Sequence, residues 1–400
     1  MMNVIDWTKN RSPLPTRKDE YYRPTNLDKV SDHLAQNVTA SIELIKEWIS
    51  EKKYVLTFNG PDFLNTAKDL KKLPPGVNFK QINGPSIEEK AGPSVLHRWQ
   101  QTLTTHYLLE VVDGIELNDP IWILNLASRG QAGFCPLKIQ VKIGAGANVT
   151  LARVLSNQLD GLQCFQALQM SIAPNAEVDV VSLYEVGPKS WGLDRTEVKI
   201  AEKAKFQHTT VALGGELFRQ EIDVQLLAPS SSCQLDGQFI TQDKEYSDHV
   251  TNIAHHAPDT TSRQLYKGML DNSSRAVFKG NIYVHPQAQR VVSTQLNKNL
   301  LLTNSAEVMT RPQLEIYADD VKCSHGATVG QLSAEEIFYL QSRGISAANA
   351  QTLLAQGFAS EILMGIKNEA IRKVVDQSVQ RKLKALSSVQ FKAQTKVEKL

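Results

Sequence analysis

The sequence predicts a mainly β chain built around a β-solenoid, with helical regions at both ends. Three observations point there. Between about 105 and 330, short alternating runs such as LKIQVKI, VTLARVL, EVDVVSL and EIDVQLL follow one another between Gly, Ala, Asn and Pro breaks, the signature of strands. A turn pattern of small residue, polar or Pro pair, Ala or Ser, then an apolar residue recurs as GAGANV near Ala147, APNAEV near Ala176, AEKAKF near Ala204 and APSSSC near Ser231. These copies lie about 27 to 29 residues apart, the self-similarity of stacked coils. Helical periodicity, finally, is found before and after this stretch and fades within it. Later copies at Ala288 and Ala306 are closer together, so the period is imperfect. A sandwich or jelly roll also has short strands and frequent turns, and stands as the alternative on these observations.

The elements divide the chain into a mixed, partly helical region over 1–100, a β core over 101–330 and a helical region over 331–400. Val38 to Ile49 places apolar residues at helical spacing, with Ser31 or Asp32 near its start as a cap. YVLTFNGPDF, with its Asn59-Gly60 turn and a stop at Pro74-Pro75-Gly76, reads as a small strand-turn unit; the turn-rich segment Asn83 to Pro93 is the expected boundary. After Gly330, Ser333-Ala-Glu-Glu336 has the form of a capping box, Gly344 ends that helix and Ser346 caps the next. In this second helix Leu353, Leu354, Phe358, Ile362, Leu363 and Ile366 share a face that needs covering. Leu353, Phe358 and Ile362 are the candidates for partner contact, with packing on their own domain as the equal alternative. The C-terminal stretch, with Arg381, Lys382, Lys384, Lys392, Lys396 and Lys399 against Glu398, reads as a solvated basic tail.

Composition narrows the function. Of 400 residues, 42% are hydrophobic and 22% charged, enough for a large core, and 44 Lys+Arg against 42 Asp+Glu give no basic surface that argues for nucleic acid. No run approaches the roughly 18 apolar residues of a membrane span, and the first residues do not resemble a secretion signal, so the expected compartment is the cytosol, with no membrane partner. Cys135, Cys164, Cys233 and Cys323 form no C-x-x-C pair. The first three read as buried small hydrophobes. Gly144-Ala-Gly146 lacks both the spacing and the following helix of a phosphate loop. His255 and His256, and likewise Asp319 and Asp320, are neighbours that a strand would turn to opposite faces, and one of the two aspartates is expected to be packed or hydrogen-bonded at a turn.

The informative segment is RPQLEIYADDVKCSHGATVGQLSAEEIFYLQSRGIS, Arg311 to Ser346. With SRQLYKGML (Ser262 to Leu270), RAVFKGNIYV (Arg275 to Val284) and NKNLLL (Asn297 to Leu302), it resembles the SufB/SufD family of iron-sulfur cluster assembly scaffolds. Weaker matches lie at FNGPDF, LPPGV, DPIWIL and IGAGANVTL. The Cys-Ser-His-Gly-Ala-Thr-Val-Gly form at Cys323 to Gly330 is that of one branch; SufB-like chains usually carry Glu-His-Glu-Ala there. Val291-Val292-Ser293-Thr294 departs from the family's Thr-Asp-Ala or Thr-Asp-Gly, which leaves a polar role at that turn in doubt.

The resemblance implies a right-handed parallel β-helix core flanked by N-terminal and C-terminal helical regions. It implies a non-catalytic scaffold subunit, paired with a SufB-like chain and carrying a SufC-like ABC-type ATPase on its C-terminal region, with a homodimer possible when the chain is alone. It also places the His matching His325 at the shared interface, facing a Cys of SufB. On a strand, Cys323 and His325 project from one face. Two ligands cannot close a metal site, which needs about four, so the rest would come from another chain or from the cluster. The isolated chain is accordingly expected to hold no tight cofactor, with iron or an iron-sulfur cluster bound transiently in the complex. On residue chemistry alone, a buried Cys with a hydrogen-bonded His is the competing account. Two other functions are weighed: a β-helix carbohydrate-active enzyme, which needs convergent acids, whereas acids here are dispersed over the coils; and a homo-oligomeric solenoid without chemistry.

Overall fold

The computed structural model describes residues 53–65, 67–70, 72–83, 94–103, 105–126, 134–157 and 160–397. The expected helix over Val38 to Ile49 with its caps, and the boundary residues 84–93, lie outside them. The described strands are β1 (Tyr54–Asn59), β2 (Asp62–Phe63), β3 (Val77–Asn83), β4 (Thr105–Val111), β5 (Ile121–Asn125) and β6 (Phe134–Ile143). Next come β7 (Asn148–Asn157), β8 (Gln163–Ile172), β9 (Glu177–Val186), β10 (Trp191–Ile200), β11 (Lys205–Gly214), β12 (Leu217–Leu226) and β13 (Ser232–Thr241). The series ends with β14 (Tyr246–His255), β15 (Thr261–Leu270), β16 (Arg275–Val284), β17 (Val291–Leu301), β18 (Glu307–Ile316) and β19 (Val321–Gly330). Helices are α1 (Ala67–Leu70), α2 (Val95–Thr102), α3 (Ala334–Ser342), α4 (Ala347–Met364) and α5 (Glu369–Val397).

From β5 on, successive strands alternate between two sheets, and each pairs in parallel with the strand two later, which is a solenoid of about seven turns. Asn148 pairs with Glu177, which pairs with Lys205, then Ser232, Thr261 and Val292, so a coil takes 27–31 residues. The repeated turn is one corner of every coil. Gly146, Asn175, Lys203, Ser230 and Asp259 have φ between 55° and 66° there. The Gly146, Asn175 and Lys203 amides donate to the carbonyls of Pro174, Glu202 and Pro229 in the next coil at 2.9–3.1 Å. That ladder offsets the cost of about 1–2 kcal/mol for a left-handed L-residue. The following Ala147, Ala176, Ala204 and Ser231 are fully buried, so the corner requires a small residue. The irregular copies have a geometric cause: Ala288 sits in a longer corner, while Ala306 precedes β18 at the opposite corner.

The interior of the early coils packs Val149, Val178 and Phe206 in one column and Leu151 and Val180 in the next, and it also encloses a buried ion pair, Arg153 with Asp194 at 2.8 Å. Cys135 and Cys164 are register partners inside it, and Cys233 is buried as well; all three are free thiols, as expected. The strand-turn unit near Asn59 is present as the β1–β2 hairpin, but β1 pairs with β5 and β3 with β4, so the sheets extend back to Tyr54. On the outer face of the even-numbered sheet, α2 packs Leu96 against Phe165, Leu193 and Leu217. On the other sheet, α4 and α5 bury Ala359, Leu363, Val375 and Leu383 against Trp122, Val154, Leu183, Val211 and Ile240.

The C-terminal caps match the sequence reading. Ser333 Oγ accepts from the Glu336 amide at 3.3 Å, Ser346 Oγ accepts from the Asn349 amide at 3.3 Å, and Gly344 takes φ +83°. Two of the tail's cations are engaged rather than solvated. Lys382 donates to both carboxylate oxygens of buried Glu245 at 2.8 and 2.9 Å, and Arg381 reaches Glu185 at 2.9 Å, fastening α5 to the solenoid. Among the described residues no helix is long and apolar enough to cross a membrane.

Candidate metal and partner site at the open end of the solenoid

The two sheets end at β19 and β18, and each of these strands has a paired neighbour on one side only. Their outer edges therefore present backbone N–H and C=O groups to an incoming strand, the state that natural sheets normally cover or blunt. The last coil is also unroofed. Along β19 the residues in the interior columns are Cys323, His325, Ala327 and Val329, registered on Ser293, Gln295, Asn297 and Asn299 of β17. With no coil above, these positions lie at the mouth of the solenoid: His325 is exposed and Cys323 half-buried. The competing account expected a buried Cys with a hydrogen-bonded His; Cys323 is only half-buried, His325 is open to solvent, and the two side chains share one face.

Beneath them lies a polar floor that the sequence reading missed. Ser293, Gln295, Asn297 and Asn299 are all buried, although they occupy interior positions. Ser293 shares a hydrogen bond of 2.7 Å with Ser262, whose hydroxyl meets His255 Nε2 at 2.9 Å, while His255 Nδ1 meets Thr260 at 2.7 Å. Gln295 donates to Gln264 Oε1, and Gln264 to Thr251, each at 2.6 Å. Asn299 donates to Asn297 Oδ1 at 2.6 Å. Room for the Gln295 amide exists because position 280 is glycine; a Cβ there would lie 2.2 Å from Gln295 Nε2. Gln295 Oε1 and Asn299 Oδ1 are buried without a hydrogen-bond partner, so the floor carries two unsatisfied acceptors. The departure at residues 291–294 thus still supplies a polar group, through Ser293. Its signal was the alternation S-T-Q-L-N-K-N, polar at every second position along β17.

Burial pushes the Cys323 thiol up from its ordinary value, with the Ser293 backbone opposing. The thiol is therefore protonated at neutral pH, and binding a cation would release the proton. Among the described residues no group of three or more His, Cys, Asp or Glu side chains is placed to hold a metal ion, so Cys323 and His325 form an incomplete ligand set. Apolar side chains line the mouth, Ile316 at 38% exposure on β18 and Val329 at 49% on β19.

Other candidates sort differently. Ile362 is 1% exposed and packs in the cluster beneath α4, and Phe358 packs against that cluster with Lys267 Nζ 3.9 Å from its ring centroid. Both therefore contact their own chain, and of the three proposed partner residues only Leu353, at 47%, is accessible. Asp319 and Asp320 are both exposed; Asp320 is tied at its turn through its backbone, with Gln289 Oε1 accepting from its amide at 2.9 Å. Acids do converge on the outer face of the even-numbered sheet, contrary to the expectation of dispersal. Arg195 contacts Glu197 at 2.6 Å, Glu221 at 3.1 Å and Asp223 at 2.5 Å, while Arg219 bonds Glu221 and Asp248.

The SUF system FeS cluster assembly SufBD core domain matches residues 126–358. The chain belongs to the SufBD family. Escherichia coli SufD, an iron-sulfur cluster assembly protein, is 36% identical over 389 residues, covering 91% of this chain and 88% of that protein. A Synechocystis SufBD family protein is 34% identical over 195 residues, 49% of this chain and 43% of its own length. An Arabidopsis thaliana chloroplastic protein, ABCI7, is 34% identical over 206 residues, 51% of this chain and 43% of its own. The similarity to SufD spans the middle coils as well as the C-terminal signature, and the chain is a SufD-like member of an iron-sulfur assembly scaffold family.

Proposed function

We propose that this chain is a scaffold subunit that joins a SufB-like solenoid end to end and offers His325, with Cys323, to iron or a nascent cluster at the joint. The observation that carries this is the unroofed terminal coil: unpaired edges on β18 and β19 flank the only Cys and His of the mouth. A homologous solenoid docking there would continue both sheets, cover Ile316 and Val329, and bring the ligands that this chain lacks. In the isolated chain a second copy could occupy the same edges, which makes a homodimer the natural resting form.

The ATPase partner is assigned to the C-terminal helices, where Phe338 and Tyr339 on α3 and Leu353 on α4 remain exposed. An independent catalytic role is disfavoured because the convergent carboxylates on the even-numbered sheet are each neutralised by a buried arginine, leaving no acid and base pair poised for hydrolysis. The iron or cluster is cargo here rather than a resident cofactor.

Co-expression with a SufB-like chain tests the joint. Val329→Asp puts a charge at the mouth without touching the lower coils, so the two chains should no longer co-elute while the variant keeps its strand signal in circular dichroism. Undiminished co-elution would place the interface elsewhere.

A further inference from the structure

The corner that follows the even-numbered strands holds a pair of imidazoles, away from the mouth. His255 is the register partner of Val284, so the next residues, His256 and His285, occupy the same position on consecutive coils. The His256 amide donates to Leu226 O and the His285 amide to His255 O, both at 3.0 Å, which locks the two backbones in step. Their rings lie 4.1 Å apart between centroids with a 27° tilt. Tyr283 stands edge-on 4.6 Å from His285, and Tyr317 lies 5.2 Å from Tyr283, forming an aromatic wall on one side. Among the described residues no hydrogen bond occupies a ring nitrogen of either histidine, and both side chains are half-buried. By contrast His97, His106, His208, His249 and His255 are buried.

We infer that His256 and His285 together bind a borderline divalent transition-metal ion, such as nickel(II), zinc(II) or iron(II), in an exchangeable site on the solenoid edge. Two imidazole nitrogens on one tetrahedral ion lie about 3.4 Å apart, which histidines on neighbouring coils reach when each ring turns out of the stack so that the in-plane lone pairs converge. Imidazole is the donor that suits these ions, and carboxylates are absent from the pair, which disfavours calcium and magnesium. Burial, and secondarily the neighbouring His285, push the His256 imidazole down from its ordinary value, so its lone pair stays available at neutral pH. With two protein ligands, the remaining positions go to water, which makes the ion exchangeable rather than structural. Sequence reading overlooked the pair because His256 and His285 are brought together only by the coil repeat.

The test uses the untagged full-length chain carrying Cys323→Ser and His325→Ala, so that the mouth contributes no ligand and the result is independent of its proposed role. Isothermal titration with nickel(II) and with zinc(II) at pH 7.5 should give one ion per chain. His256→Ala and His285→Ala, each added to that background, should weaken binding by more than about tenfold, at least the loss seen when groups supporting a metal ligand are removed. Absence of binding in the background variant, or binding that survives both histidine substitutions, would overturn the inference.

Discussion

Replacing Ile362 by alanine separates a residue that docks the C-terminal helices from one that recruits a partner. Its side chain is 1% exposed and lies in the cluster formed by α4, α5 and the outer face of the odd-numbered sheet, with Met269, Leu300 and Ile366 in the same cluster. The substitution removes three carbons, worth roughly 2.4 kcal/mol at about 0.8 kcal/mol each before any cavity is counted. Comparable core truncations cost about 2–5 kcal/mol. A solenoid with appended helices need not unfold as one unit, so the appropriate readout is native-state hydrogen exchange of the α4 and α5 amides. Their exchange should quicken by at least about fiftyfold, with the β11 and β13 amides much less affected. Leu353→Ala, at an exposed position, should change stability by less than about 0.5 kcal/mol yet weaken capture of a SufC-like ATPase. Unchanged exchange in Ile362→Ala, or ATPase capture lost through Ile362 but not Leu353, would refute this division of roles.

Further outcomes follow from the buried charges. Arg219→Met takes the guanidinium from buried Asp248 and leaves Glu221 with Arg195 alone, and should destabilise the middle coils by about 3–5 kcal/mol, read as a lower urea midpoint. Asp179 is held at about 6 by burial, with Lys367 opposing and Asp236 adding to the shift. Because its folded value lies above the unfolded one, the native state gains from the protonated form, and stability falls as pH rises from about 4 through 6, by up to roughly 3 kcal/mol. Asp179→Asn should therefore be little different from the parent near pH 4 and more stable above pH 7, in urea titrations at both values; a pH-independent difference would contradict the assignment.

The solenoid was legible because its corners impose a local rule, a left-handed residue followed by a small buried one, and that rule repeats at Ala147, Ala176, Ala204 and Ser231. Caps were legible for the same reason: Ser333 and Ser346 satisfy amides three residues away. Cys323 and His325 could be placed on one face by strand alternation alone. What escaped depends on contacts between coils. His256 meets His285, Arg195 meets Glu221, and Gln295 meets Gln264 across nearly thirty residues, through registers that a corner of variable length can shift. The reading of α4 found Ile362 and Leu363 of the covered face but put exposed Leu353 with them and missed Ala350, Ala355 and Ala359, and periodicity carries no information about whether a sheet of the same chain or another protein covers that face. Only the docking of Ile362 on its own solenoid decides that.

The central claim is that the imidazole at the mouth serves the cargo rather than the fold. It is tested most directly by purifying the complex of this chain with its SufB-like and ATPase partners, reconstituting it with iron and sulfide, and following cluster absorbance. His325→Ala should leave the complex assembled and co-eluting while the absorbance and bound iron fall by several-fold. Full cluster formation by an intact complex that lacks this imidazole would contradict it.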